Sequence, residues 1–498
     1  KYSTLSKGKY TDPMFSRPLE EMSKEQDMTK EKKMDYKTNN FRKTISQHLL
    51  LFRYQQLHIM PSSTNEFAKA ERELVEEQQL QEKIVNEEFK IWKKTVPLLY
   101  DFIHTFALDN PSLVFQWLPT TSVSQSDLEL KFLIGTNAIN KSENYLKLTS
   151  ISLPSTLVGA TDSIPVPSDG IDTSNFKVVT QWKQTQEINK LKVSPNGSLA
   201  VGFSADGVIR SYNLDNFDSV DYKYHKQGGI ALDWVDNNGF LSGSNDAQIA
   251  LWQVDKSSTP LQLFKGHHGA INDISSIKEK HLFGSVSDDS TTQFHDTRVN
   301  ATDINPVITV ENSHIQNCIQ FHPDIQTLYA TGGKDNVVSL YDIRNYSTPF
   351  RKFYGHNDSV RQLQWDWNNP DILVSCGLDK RIIFWDLKNL DEDFTYPDAT
   401  SNGKDTNSKR KQAVKTDPCL KYVHGGHTRR TNDFDIHPKV KNIFGSVGDD
   451  KLLEIWKPKS LPGDEPEQES TEVQEDEEMK DAETKGVKDG EEDTKMKD

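Results

Sequence analysis

One pattern returns six times along the 498 residues: an Asp followed six positions later by an aromatic or imidazole ring. The pairs are Asp206 and Tyr212, Asp246 and Trp252, Asp289 and His295, Asp335 and Tyr341, Asp379 and Trp385, and Asp450 and Trp456. Successive Asp residues lie 40, 43, 46, 44 and 71 positions apart. A period of about 40–45 residues marks stacked four-stranded units, as in a propeller. Each Asp falls in a polar turn, where its carboxylate can bond nearby backbone amides. The run behind it, such as RIIFWD, alternates so that every second side chain meets a buried surface. The long last interval contains a polar, turn-rich stretch at 389–420, read as a surface insertion and not as another blade. An unmarked first unit, drawn from LKFLIGTNAI and NYLKLTSISL, brings the total to seven. An early strand is expected to complete the last blade and so remove the open sheet edge. The expected fold is an all-β, seven-bladed propeller.

The neighbouring carboxylates Asp449 and Asp450 invite a catalytic reading. Six copies of an active site around one ring make no chemical sense, so these acids are read as structural. His267, His356 and His427 stand 22, 23 and 23 residues before their Asp partners. This arrangement resembles the WD repeat, in which such a His and Asp share a hydrogen-bonded network inside one blade. The same repetition argues against a His/Asp metal site. The chain carries no P-loop, GxSxG, HExxH or CxxC motif, so no enzyme activity, cofactor or metal is expected.

Composition bounds the rest. Of the net charge of −15, the segment 464–498 contributes −11, from sixteen acids and five Lys. With no aromatic residue it cannot bury enough surface to offset its ordering entropy, so 459–498 is read as a disordered acidic tail. The remaining charge of about −4 gives no general basic surface for nucleic acid. Three Cys without CxxC pairing suit a reducing compartment. No apolar run is long enough for a membrane span, and the start shows no signal-peptide core. A soluble, nuclear protein is expected. Ahead of the propeller, Ser63 and Glu66 form a capping box, and Phe67, Ala70, Leu74, Ile84, Val85, Phe89 and Trp92 follow near helical spacing until Pro97 limits the helix. The domain boundaries read as extension 1–62, helix region 63–110, propeller 111–458 and tail 459–498.

The segment NEEFKIWKKTVPLLYDFIHTFALDNPSLVFQWLP, with VHGGHTRRTNDFDIHP and FGSVGDDKLLEIWKP near the end, resembles the Msi-type, retinoblastoma-binding family of WD-repeat histone-binding proteins. The resemblance implies a non-catalytic subunit of a chromatin assembly. Closest in character are the fungal WD-repeat transcriptional modulators of Sin-type histone deacetylase corepressor complexes. Corepressor subunits and histones H3 and H4 are the implied partners. Other chromatin assembly, acetyltransferase and nuclear-anchor roles are the alternatives. Glu88, Phe89, Trp92, Leu98, Leu99 and Phe102 match the helix region that forms a histone H4 groove in the family. The facing loop departs from the family, with a basic cluster at Lys409, Arg410 and Lys411 that would repel a histone's cationic flanks. At the ring mouth, where the family receives a basic H3 tail, Glu187, Asn189 and Asn317 match. Gly228, Asn272 and Ser359 replace expected acids, Arg361 takes an aromatic position, and Arg429 and Arg430 add positive charge.

Overall fold

The computed structural model describes residues 64–123, 127–138, 143–154, 176–256, 259–277, 280–299, 304–390 and 416–459. The extension at 1–62, the Ser63 cap, the Lys409–Lys411 cluster and the tail beyond 459 lie outside them. Residues 1–88 and 89–498 form separate compact units. Helix α1, Thr64–Leu99, is rich in Glu, Lys, Leu and Gln, contains no Gly, and runs two residues past Pro97.

From Tyr100 onward the described regular elements are strands, apart from one short 3-10 turn at Leu387–Asn389. Blade 1 comprises β2 (Phe115–Val123), β3 (Asp127–Gly135), β4 (Asn144–Pro154) and β5 (Phe176–Gln184). Blade 2 runs from β6 (Ile188–Val193) to β9 (Ser219–Lys223), and blade 3 from β10 (Ala231–Trp234) to β13 (Gln262–Phe264). Blade 4 runs from β14 (Ile271–Ile277) to β17 (Ile308–Glu311), and blade 5 from β18 (Gln316–Phe321) to β21 (Arg351–Tyr354). Blade 6 holds β22 (Val360–Trp365) to β25 (Leu420–His424). Blade 7 takes β26 (Thr431–Ile436), β27 (Phe444–Gly448) and β28 (Leu452–Pro458), with β1 (Tyr100–Ala107) as its fourth strand. The fold is the expected seven-bladed propeller, and the expected early closing strand is β1, antiparallel to β28 from Tyr100–Pro458 to Ala107–Leu452. The sheet of the ring therefore begins at Tyr100, not at residue 111, and Phe102 is core.

Inside the blades the Asp turns do what their sequence suggested. The Asp379 carboxylate accepts Arg381 N of its own turn and Asn357 N of the preceding loop, and meets His356 Nδ1 at 3.1 Å. His356 Nε2 reaches Ser375 Oγ at 2.7 Å, which also accepts Trp385 Nε1 at 2.8 Å. One polar chain thus runs from the turn into the buried interior of a blade through Asp, His, Ser and Trp. Asp450, His427, Ser446 and Trp456 repeat it. So do Asp246, His225, Ser242 and Trp252, with a His the sequence reading passed over. Asp289, His267 and Ser285 form the same start, but His295 stands where the Trp would be. Asp206 receives Thr185 Oγ1 in place of a His. Exposed His314 approaches Asp335 only to 4.0 Å. The residue after each of these Asp residues has a positive φ, and only Gly207 of the six is a glycine.

Two measurements probe this network. Asp379→Ala leaves His356 and Asn357 N without their acceptor and should destabilise the fold by about 1–3 kcal/mol in thermal or denaturant unfolding. His295 is buried with neither ring nitrogen bonded, and burial pushes its imidazole down to about 3. The unfolded chain protonates this group near pH 6.5, so falling pH favours unfolding by about 1.4 kcal/mol per unit below that point. His295→Phe removes that penalty. Its stability advantage over the parent should grow by about 2 kcal/mol between pH 7 and pH 5.

Candidate functional site

The C-terminal part of α1, within residues 89–99, is held by one aromatic and polar chain. Trp92 Nε1 donates to the Tyr100 hydroxyl at 3.0 Å, and that hydroxyl lies 2.8 Å from His424 Nδ1. His424 Nε2 in turn lies 3.0 Å from Glu454 Oε2, with its ring stacked 4.1 Å from Trp456. If Trp92 donates to Tyr100, Tyr100 to His424 and His424 to Glu454, every proton in the chain has one acceptor. Burial holds the Tyr100 phenol above its usual range and His424 below its own. Val96 is buried, and Trp92 and Leu99 pack against the same core. Trp92 and Leu99 are thus anchors of the helix. Phe102, only 5% exposed and part of the core shared by blades 7 and 1, cannot line a groove. Phe89 is half-buried and stacks on Trp92 at 5.4 Å, and Glu88 is exposed. What the helix offers outward is Leu98, 73% exposed, and Ile91, 62% exposed, one heptad apart and so on one face. Ile91 was missed because the periodicity was read only for its buried stripe.

The mouth of the ring is a cavity of about 240 Å³. Seven of its lining residues stand one per blade at the entrance to the inner strands: Leu113, Asn189, Ile230, Asn272, Asn317, Arg361 and Asn432. Five of these seven sit at a bulge in the inner ladder, between Ile188 and Lys190, Ile271 and Asp273, Gln316 and Cys318, Val360 and Gln362, and Thr431 and Asp433. A bulge turns one extra side chain off the pleat, here into the mouth. Asn272 then donates to Gln316 O at 3.0 Å, Asn317 to Val360 O at 2.8 Å and Asn432 to Ser112 O at 2.9 Å. Each carbonyl belongs to the next blade, so these amides also join neighbours. Ser359 lines the cavity too. Glu187 and Arg430 are not among its lining residues; Arg430 is paired with Asp449 at 3.0 Å. Exposed Arg429 likewise stands outside that lining.

Asp449 also accepts from Asn432 at 2.7 Å, while Asp450 belongs to the blade network. The adjacent acids therefore have separate structural partners. Among the described residues one trio, His424, His427 and Glu454, lies close enough to hold a metal. Both nitrogens of His427 are engaged by Asp450 and Ser446, and His424 bonds Tyr100 and Glu454. The trio is used up as a hydrogen-bond network.

Comparison with known proteins matches residues 87–155 to a family model that describes the histone-binding protein RBBP4, or the corresponding subunit of the CAF1 complex. The WD domain, G-beta repeat, matches 305–342 and 347–386, each repeat spanning the outer strand of one blade and three strands of the next. A relative from Candida glabrata, histone acetyltransferase type B subunit 2, is 30% identical over 413 residues, covering 79% of this chain and 94% of the relative. The protein of that name from Kluyveromyces lactis is 31% identical over 394 residues, 75% of this chain and 92% of its own. The chain belongs to the RBBP4-type histone-binding WD-repeat family.

None of the seven entrance positions carries an acid. The expected blade 3 position was wrong: Gly228 packs so that a Cβ would lie 2.5 Å from Ala205 O, and Ile230 holds the place. Here β10 pairs with β11 (Gly239–Gly243) without a bulge. The recurring Asn at 17 or 18 positions before the turn Asp was a usable signal. Arg361 faces the cavity as a like charge for any basic peptide. An unmodified H3 N-terminal peptide should therefore bind more weakly than about 100 µM at physiological salt in isothermal titration. Low-micromolar binding would contradict this account of the mouth.

Proposed function

We propose that this chain is a non-catalytic, histone-binding subunit of a nuclear chromatin complex, and that its histone contact is made by the outward face of α1. The observation that carries the reading is positional. The histone-binding family model begins at residue 87, in the helix that presents Ile91 and Leu98 while Trp92, Val96 and Leu99 anchor it. An amphipathic partner helix, such as the first helix of histone H4, can cover such aliphatic side chains. Phe89 and Glu88 flank that face. The named relatives are histone acetyltransferase type B subunits. They favour assembly with an acetyltransferase over the histone deacetylase corepressor and repressor role suggested by the resemblance to fungal modulators. The propeller is the scaffold in either setting.

Fluorescence anisotropy with a labelled H4 first-helix peptide tests the contact. Burying an exposed Ile or Leu contributes about 1.5–3 kcal/mol. Ile91→Asp with Leu98→Asp should therefore weaken binding by about a hundredfold or more while leaving the melting temperature within a few degrees. Parent and double variant binding alike would remove α1 as the histone face. Mass spectrometry of the native complex distinguishes the settings: acetyltransferase subunits support this reading, deacetylase subunits the corepressor one, and a lone non-chromatin client would overturn both.

A further inference from the structure

The charges inside the ring mouth are out of balance. Lys190, Lys192, Lys334 and Arg361 line the cavity against two carboxylates, Asp273 and Asp433. Both carboxylates are engaged by backbone: Asp273 accepts Ile319 N at 3.0 Å, and Asp433 accepts Phe115 N at 2.9 Å and Phe434 N at 3.1 Å. Lys334 shares Asp288 at 3.7 Å. Among the described residues the ammonium groups of Lys190 and Lys192 and the guanidinium of Arg361 make no hydrogen bond or ion pair. Lys190 and Lys192 are two apart on β6, hence on one side of that strand. Arg361 enters from blade 6, on the far side of the ring from blade 2.

Keeping a half-buried guanidinium without a partner is unfavourable. Burial and the neighbouring Arg430 both depress its affinity for a proton. An anion in the cavity relieves all of this at once. A carboxylate presents two oxygens along one edge and can satisfy one wall. A tetrahedral phosphate presents oxygens in every direction and can take the Arg fork on one side and the two ammonium groups on the other. The volume of about 240 Å³ suits one or two phosphate groups and not a folded segment.

We propose that the ring mouth binds a compact phosphate-bearing anion, held between Lys190 and Lys192 on β6 and Arg361 on β22. The site is independent of the histone contact on α1 and does not rest on it.

The test is isothermal titration of the full chain at low chloride with pyrophosphate, with acetate as the carboxylate comparator. Pyrophosphate should bind with a Kd below about 1 mM. Arg361→Gln should weaken it at least about tenfold, as should Lys190→Gln with Lys192→Gln, because each removes one wall of charge-assisted donors. The melting temperature without anion should hold or rise in Arg361→Gln, since an unpaired buried charge is removed. A phosphoserine peptide forms the second arm: tighter binding than pyrophosphate assigns the phosphate to a protein partner, and weaker binding to a small molecule. No heat up to roughly 10 mM pyrophosphate, equal affinity for acetate, or equal affinity in Arg361→Gln would each overturn the site.

Discussion

At three junctions of the ring, inner-strand side chains of one blade accept the backbone amides of the next. At the junction of last and first blades, Asp433 takes Phe115 N and Asp435 takes Trp117 N at 2.7 Å. Asp273 does the same for Ile319, Ser275 for Phe321 and Asp233 for Ser276. A buried amide left without an acceptor costs about 1–3 kcal/mol, so each of these junctions resists separation. Burial pushes Asp435 and Asp273 up to about 6. Asp433 and Asp435 also accept the amides of Phe434 and Ile436 in their own strand. The Asp, His, Ser and Trp chains stiffen single blades, whereas the inner acids tie blade 3 to 4, 4 to 5 and 7 to 1.

This division explains what the sequence made legible. The turn Asp must sit at the hairpin and the ring residue six positions on must land on the buried face, so period and blade number could be counted. The closing strand followed from the need to bury an edge. Less legible was whatever depends on register. Bulges at Asn189, Asn272, Asn317, Arg361 and Asn432 aim those side chains into the mouth, whereas β10 has no bulge and Ile230, not Gly228, reaches the cavity. Phe102 reads as a groove residue if it follows a helix. Its pairing with Lys457 on a closing strand that starts at Tyr100 makes it core.

Two surfaces of different chemistry result. The outward helix face is aliphatic, with Ile91 and Leu98 exposed and their helix fixed through Trp92. The mouth is polar, amide-lined and positively biased. The cations at the mouth would repel a basic peptide, whereas exposed Ile91 and Leu98 offer apolar area for a partner helix.

The pairing of β1 with β28 joins residues about 350 positions apart in the chain. During synthesis, Tyr100 and Trp92 leave the ribosome long before His424, Glu454 and Trp456 exist to receive them. Contacts of such sequence separation form late, after their loop-closure entropy has been met. The helix that carries the candidate partner face therefore gains its anchor only when the last blade is complete. A nascent or truncated chain cannot seat it, which ties display of that face to a finished ring.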